Sequence, residues 1–243
     1  MEVTFATINT WKCDGDYIRR LKLLSERLNC YPIDLICCQE VFSSHDQSIS
    51  TEKYLNNKLS LSSFYFPTRK KKRLVNGDQT LSYSGLCTFT NLPVLKEKKI
   101  ILPTHIKDGE RTAQIFSISK KNIKIAVVNT HLTHLKNESE LKNYQIIEIL
   151  QHVDIDDFDM VVICGDFNDT PESKTIKTLT KKYLFKSVLK NYPATHRNRC
   201  IDYIFYRSKL GVEILEAKLI LNKVSEEGIF PSDHFGILAT FKF

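Results

Sequence analysis

A chain that mixes helices and strands within one domain, residues 1–243, is what this sequence predicts, and three observations predict it. Eight short runs are β-branched or aromatic, three longer segments carry apolar residues at helical spacing, and no repeat, low-complexity tract or Gly/Ser-rich linker divides them. Strands are expected at 3–8, 33–38, 85–90, 113–119, 123–129, 160–164, 201–207 and 235–242. The first helix is expected in DYIRRLKLLSERLN, where Ile18, Leu21, Leu24 and Leu28 fall on one face and Asp14 or Asp16 is placed to cap the start. The segment ESELKNYQIIEILQHV does the same through Leu141, Tyr144, Ile147 and Leu150. A third helix opens at Thr170, Pro171 and Glu172, which supply an acceptor side chain, a fixed proline φ and a negative charge at the helix start; it is expected to run to about residue 189. The alternation of strands and helices, taken alone, points to a doubly wound parallel sheet.

With 42% hydrophobic and 26% charged residues, the chain has enough apolar material for a sizeable core. Its longest apolar stretches, such as 125–129 and 160–164, fall far short of the roughly 20 residues a membrane-spanning helix needs, so no span is expected. The start, MEVTFATINTW, reads as a first strand rather than a secretion signal, and a cytoplasmic location is expected. Cys13, Cys30, Cys37, Cys38, Cys87, Cys164 and Cys200 contain no C-x-x-C pair and are expected to be reduced core thiols. No obligate protein partner is inferred.

A formal charge of +7 draws polyanions to the surface at low salt. The densest basic run, Arg69 to Arg73, falls in a polar stretch at 68–84 that reads as a loop. It fits a grip on phosphates, with Phe64, Tyr65 or Phe66 stacking a base, and it fits a solvated basic loop equally well.

One pattern recurs along the chain: an apolar run ends in a polar cluster. The first strand ends at Asn9, IDLICC at Gln39 and Glu40, IAVVNT at His131, and VVIC at Asp166 and Asn168. The last strand follows Ser232, Asp233 and His234, and the strand from 201 carries Asp202 near its start. Each of these alone is more often a cap or a turn residue. Six separated elements that bring such groups to one edge of the sheets instead describe a site.

The motifs INTW (8–11), CQEV (38–41), YSGLCTFTNLPV (83–94), ERTAQIFSI (110–118), VNTHL (128–132), GDFNDTP (165–171), IDYIFY (201–206) and PSDHFGI (231–237) stand in the order and spacing of a known group. In them the chain resembles the endonuclease/exonuclease/phosphatase superfamily, built like pancreatic deoxyribonuclease, over nearly its whole length. The resemblance implies an α+β fold, a four-layer α/β/β/α sandwich of two mostly antiparallel sheets with helices outside and the site at the top edge.

Hydrolysis of a phosphodiester places negative charge on the non-bridging and departing oxygens, so cations and donors must face them and a base must serve the water. Carboxylates in such a site make sense as ligands of a hard cation, Mg²⁺, with Mn²⁺ as a substitute. The resemblance makes Glu40 the first candidate ligand, with Asn9 and Asp233 beside it. It implies that His234 contacts a phosphate oxygen or the water while Asp202 holds its other nitrogen. It implies that Asp166 orients or deprotonates the water, that Asn168 donates to the phosphate, and that His131 is a second donor or general acid. The base is Asp166 or His234. Arg111 and Tyr83 are further substrate-binding candidates, Arg111 fitting an ordinary salt bridge as well.

Inositide phosphatases of the superfamily carry Trp-Cys-Asp-Arg where this chain has RNRCIDYIF, and abasic-site endonucleases carry a tryptophan just before the matching aspartate. The chain looks more like the deadenylase, tyrosyl-DNA phosphodiesterase and sphingomyelinase-like branches. The expected activity is therefore a Mg²⁺-dependent phosphodiesterase acting on nucleic acid or a nucleotide-containing substrate. A phospholipid-headgroup phosphodiesterase is the alternative, and a non-catalytic phosphate-binding scaffold the second.

Overall fold

Apolar runs of the sequence become strands covered on both faces, in a computed structural model that describes residues 1–75 and 77–243. The first half holds β1 (Glu2–Asn9), α1 (Tyr17–Leu28), β2 (Leu35–Ser44), α2 (Thr51–Leu59), β3 (Ser62–Val75) and β4 (Asp78–Thr90). There follow β5 (Val94–Leu102), β6 (Arg111–Lys120), β7 (Ile123–His131), α3 (Ser139–Gln151) and β8 (Met160–Asp166). The chain ends with α4 (Lys174–Lys177), β9 (Lys186–Ser187), β10 (Asp202–Ser208), β11 (Glu213–Ile220) and β12 (Gly236–Lys242).

The strands form two six-stranded sheets, in the orders β11-β12-β1-β2-β4-β3 and β5-β6-β7-β8-β10-β9. Within β2 the alternation separates two cores. Leu35 and Cys37 face the second sheet, with Val3 and Phe5 against Phe116, Val127, Val162 and Ile204. Ile36 and Cys38 face outward, under Leu21, Leu24 and Leu28 of α1 and Leu55 of α2. On the far side, Ile146 and Ile149 of α3 and Ile176 of α4 cover Val128 and Ile163. This is the α/β/β/α layering of an α+β sandwich, and the doubly wound parallel alternative is excluded: among the described residues only β1 with β2 and β7 with β8 run parallel.

Those two parallel pairs carry the site. Parallel neighbours end on the same edge, so Asn9 and Glu40 emerge together, as do His131 and Asp166. Strands β10 and β12 are antiparallel to β8 and β1, so they begin at that edge and deliver Asp202 and the 232–234 segment to it.

Several expected elements differ. Asp16 caps α1 by accepting from the Arg19 amide at 3.4 Å, but Ile18 is 56% exposed; the covered face is Tyr17, Arg20, Leu21, Leu24 and Leu28. In α3, Tyr144 is exposed, and Lys142, Gln145, Ile146 and Ile149 are buried instead. The third helix is a single turn capped by Ser173 and followed by a π-turn over Thr178–Lys182. The described residues of the stretch 68–84 are not a loop but belong to the facing halves of the β3–β4 hairpin, paired from Ser62 with Thr90 to Val75 with Asp78; residue 76 lies outside the described residues. Cys30 is exposed, whereas the other six cysteines are buried and none is in a disulfide. Among the described residues no helix is long and apolar enough to cross a membrane.

Candidate active site

Backbone geometry aims the side chains before any charge acts. The β2–β4 register shifts between Cys38 and Val41, and at this bulge Glu40 adopts φ +54°, a left-handed conformation that turns its carboxylate out of the sheet. Gln39 stays inside, its amide donating to Asn129 Oδ1 at 2.8 Å and Thr7 Oγ1 at 3.1 Å. Asn129 in turn donates to the Cys38 and Cys87 carbonyls, so a polar network ties the two sheets directly beneath the site. Gly165 has φ +143°, and a Cβ there would lie 1.9 Å from the Thr130 carbonyl oxygen; only glycine lets β8 and β7 run side by side up to Asp166.

Asp166 is the hub. Its Oδ2 accepts from Asn9 Nδ2 at 3.0 Å, and its Oδ1 accepts from the Asn168 amide at 2.8 Å. His131 Nε2 stands 3.4 Å away and His234 Nε2 3.9 Å away. Burial, then the charge of Asp202 paired opposite it across β8 and β10, push the Asp166 carboxyl well above its usual range; His234 and the donors pull only part of the way back. Burial, joined by the charges of Arg111 and Arg69, pushes His131 the other way, so its imidazole is neutral.

His234 has the opposite fate. Burial alone would lower it, but Nδ1 lies 2.9 Å from Asp202 Oδ2, and Asp202, with Asp166 and Asp233 beyond, lifts it to about 10. Thr195 fixes Asp202 by donating to Oδ2 at 2.6 Å while its own Oγ1 accepts from the Ile201 and Asp202 amides. The His196 ring stacks on His234 with centroids 4.4 Å apart, and its Nε2 is 3.6 Å from Asp233. Ser232 donates to the Asn9 carbonyl at 2.6 Å, and buried Arg20 donates to the carbonyls of Asp14 and Pro231, clamping the loop after β1 to the loop before β12.

These groups meet in a cavity of about 350 Å³, whose walls include Asn9, Glu40, His131, Asp166, Asn168, Asp233 and His234. Asp202 sits behind His234. Arg111 also lines the cavity; its Nε and Nη2 donate to Asp108 at 2.8 Å and 2.7 Å, while its buried Nη1 has no partner among the described residues. Asn168, at φ +50°, donates from Nδ2 to the Leu132 carbonyl. Tyr83 is not among the lining residues; its ring stacks on His45. Phe64 packs edge-on against Phe116 inside the sandwich, and the Tyr65 hydroxyl donates to the Val41 carbonyl, so neither is free to stack a base. Lys12, Thr195, His196 and the Asp108 cluster escaped the sequence reading. For Thr195 and His196 the available signal was PATHRNRC just upstream of Asp202.

The donors fit a divalent cation of the hard, oxygen-seeking kind. Among the described residues the Glu40 carboxylate is met by a single cation, Lys12 Nζ at 2.9 Å. In the same cavity burial holds Asp233 above its usual range, and the Glu40 charge adds to this. Asn9 Oδ1 accepts one hydrogen bond, from the Trp11 amide, leaving a lone pair. His234 belongs to two close clusters of nitrogen and carboxylate donors, but its Nδ1 is already engaged by Asp202 at 2.9 Å.

The profile of the Endonuclease/Exonuclease/phosphatase family matches residues 6–234. The chain is similar to the probable CCR4-Not complex 3'-5'-exoribonuclease subunit Ccr4 of Vairimorpha ceranae, with 23% identity over 96% of this chain; it spans 59% of that curated relative's length. Among solved structures it is similar to the human Nocturnin catalytic domain, with 21% identity and a TM-score of 0.78 over 100% of this chain and 94% of that one. A truncated TDP2 from Caenorhabditis elegans gives 20% identity and a TM-score of 0.74 over 100% and 98%. Both likenesses are of fold. The matched span takes in all six polar clusters that meet at the cavity, and the chain belongs to the Endonuclease/Exonuclease/phosphatase family.

Proposed function

We propose that residues 1–243 act as one catalytic domain, a divalent-metal-dependent phosphodiesterase that hydrolyses nucleic acid by attack of water. The observation that carries this reading is a carboxylate and an imidazole, Asp166 and His234, facing one cavity 3.9 Å apart. Burial and Asp202 raise the Asp166 carboxyl toward the range of a base that works near neutral pH, while Asp202 against Nδ1 holds His234 protonated to about 10.

Asp166 is the base for the attacking water, oriented by Asn9 and the Asn168 amide. His234, kept cationic by Asp202, donates to a non-bridging oxygen and matches the charge that grows there. Neutral His131 and the Asn168 carboxamide supply uncharged donors to the phosphate. Glu40, Asn9 and Asp233 would hold Mg²⁺ or Mn²⁺, which when bound polarises the phosphoryl oxygen and eases departure of the leaving oxygen. Lys12 Nζ pairs with the Glu40 carboxylate at 2.9 Å on the wall of the same cavity.

Nucleic acid is favoured by the +7 charge, by the basic wall of the cavity and by the exoribonuclease named among the relatives. Unpaired thiols suit a reducing compartment, and the cytoplasm is the proposed location. The test is a panel of single- and double-stranded DNA, RNA, sphingomyelin and phosphomonoesters, each with Mg²⁺ and with EDTA. Turnover of a nucleic acid that stops in EDTA is expected. Turnover of sphingomyelin with inert nucleic acids would overturn the substrate, and turnover unaffected by EDTA would overturn the metal.

A further inference from the structure

We propose that the β3–β4 hairpin is a track for a nucleic-acid strand leading away from the catalytic cavity, so that the substrate is a polyanion several phosphates long and not a short ester. This rests on the reading of the cavity as a phosphodiesterase centre, but the track is a binding surface with its own readout. Arg69, Lys71 and Arg73 occupy alternate positions of β3, which puts them on one face of the strand at steps of about 6.6 Å. All three line the catalytic cavity, and all three also line a neighbouring cleft of about 370 Å³ that adds Lys70 and Lys107, five cations against the carboxylates of Asp108, already paired with Arg111, and Glu110. The two spaces share one basic wall, and a chain of phosphates that starts at His234 has cations to follow.

The cations are presented, not merely exposed. Arg73 donates to Ser82 Oγ at 2.9 Å and Ser84 Oγ at 2.8 Å, both on the partner strand β4. Arg69 reaches the Asp108 carboxylate at 3.7 Å while keeping a face on both spaces. Among the described residues no carboxylate lies within 4.0 Å of the Lys71 ammonium, which leaves it free for an anion. An edge strand carries lysines simply to block pairing with other chains, and β3 is such an edge. That explanation suits Lys70 and Lys72 but does not require two arginines to be partly buried at a desolvation cost, Arg73 held by serines and Arg69 by Asp108. Phe64 and Tyr65 are packed inward and the Phe66 ring carries Lys99 Nζ at 5.5 Å, so the track grips the strand through its phosphates, contacts that carry no sequence information.

The experiment uses the full chain in EDTA, which separates binding from turnover. Affinity for a fluorescein-labelled single strand of about ten nucleotides is read by anisotropy against salt, for the wild type and for Lys71→Gln/Lys107→Gln, both exposed positions whose change leaves the core intact. The variant is expected to bind more weakly whatever the base sequence, and its slope of log affinity against log salt is expected to be shallower by about 1.4, or 0.7 per phosphate contact. Hydrolysis of bis-p-nitrophenyl phosphate by the single variant Lys107→Gln, whose position lines the neighbouring cleft and not the catalytic cavity, is expected to be unchanged. Equal affinity and equal slope would overturn the track. So would a loss confined to anionic phosphatidylserine vesicles with the oligonucleotide unaffected, which would assign the wall to a membrane surface. Failure of the phosphodiesterase reading would appear instead as a wild type that binds the strand and cleaves nothing.

Discussion

His234→Ala lowers kcat for bis-p-nitrophenyl phosphate by about 10²–10⁴-fold, the range spanned by loss of a positioned proton donor and of a charge-matched phosphate contact. The small substrate makes the test independent of any binding outside the cavity. Because His234 is buried against His196 and Asp202, a thermal melt of the variant separates lost chemistry from lost folding. Asp202→Asn is the companion. It leaves the imidazole in place but removes the charge that overrides burial, so His234 loses its proton at lower pH. The alkaline limb of the activity profile, set near 10 in the wild type, then moves down toward neutrality. Unchanged turnover in His234→Ala would remove this residue from the mechanism.

Asp166→Asn costs a comparable factor of about 10²–10⁴ through loss of the base. The substitution keeps the shape of the side chain and an acceptor for the Asn168 amide, so the fold is expected to survive. The sign of the pH effect distinguishes this role from a structural one. Burial and Asp202 keep Asp166 protonated below its raised pKa, so wild-type activity rises with pH as the proton leaves. In Asp166→Asn the residual activity has no such rise. A retained acidic limb would mean that another group supplies it.

How far the sequence reached depends on what each residue's burial is made of. Strands β1, β2, β7 and β8 were legible because they are covered on both faces, which leaves continuous apolar runs ending abruptly in polar groups. The edge strands were not: β5, VLKEKKIIL, and β11, EILEAKLI, carry charges along their exposed faces. Hairpin β3–β4 hid for the same reason, since RKKKR shows no alternation although its neighbours in space alternate. Helix α3 was found but rotated. Its buried face includes Gln145, which accepts from the Thr133 amide and donates to the Pro103 carbonyl, and Lys142, which reaches the Asn168 carbonyl beneath the cavity. Hydrophobic periodicity is blind to polar groups buried because they are hydrogen-bonded. Six polar clusters converge as expected, but the strain that aims Glu40 and the Asp108 clamp on Arg111 depend on a bulge and on a loop that no residue pattern encodes.

Uptake of Mn²⁺, followed by the electron paramagnetic resonance of the free ion, tests the central claim most directly, because it asks whether Glu40, Asn9 and Asp233 form one ion site. The wild-type chain is expected to withdraw Mn²⁺ from solution, and Glu40→Gln to lose affinity by more than the roughly 10–100-fold that removal of an outer partner costs. Hydrolysis is expected to fall in step. Equal uptake by both proteins, or full hydrolysis by a wild type that takes up none, would contradict the account.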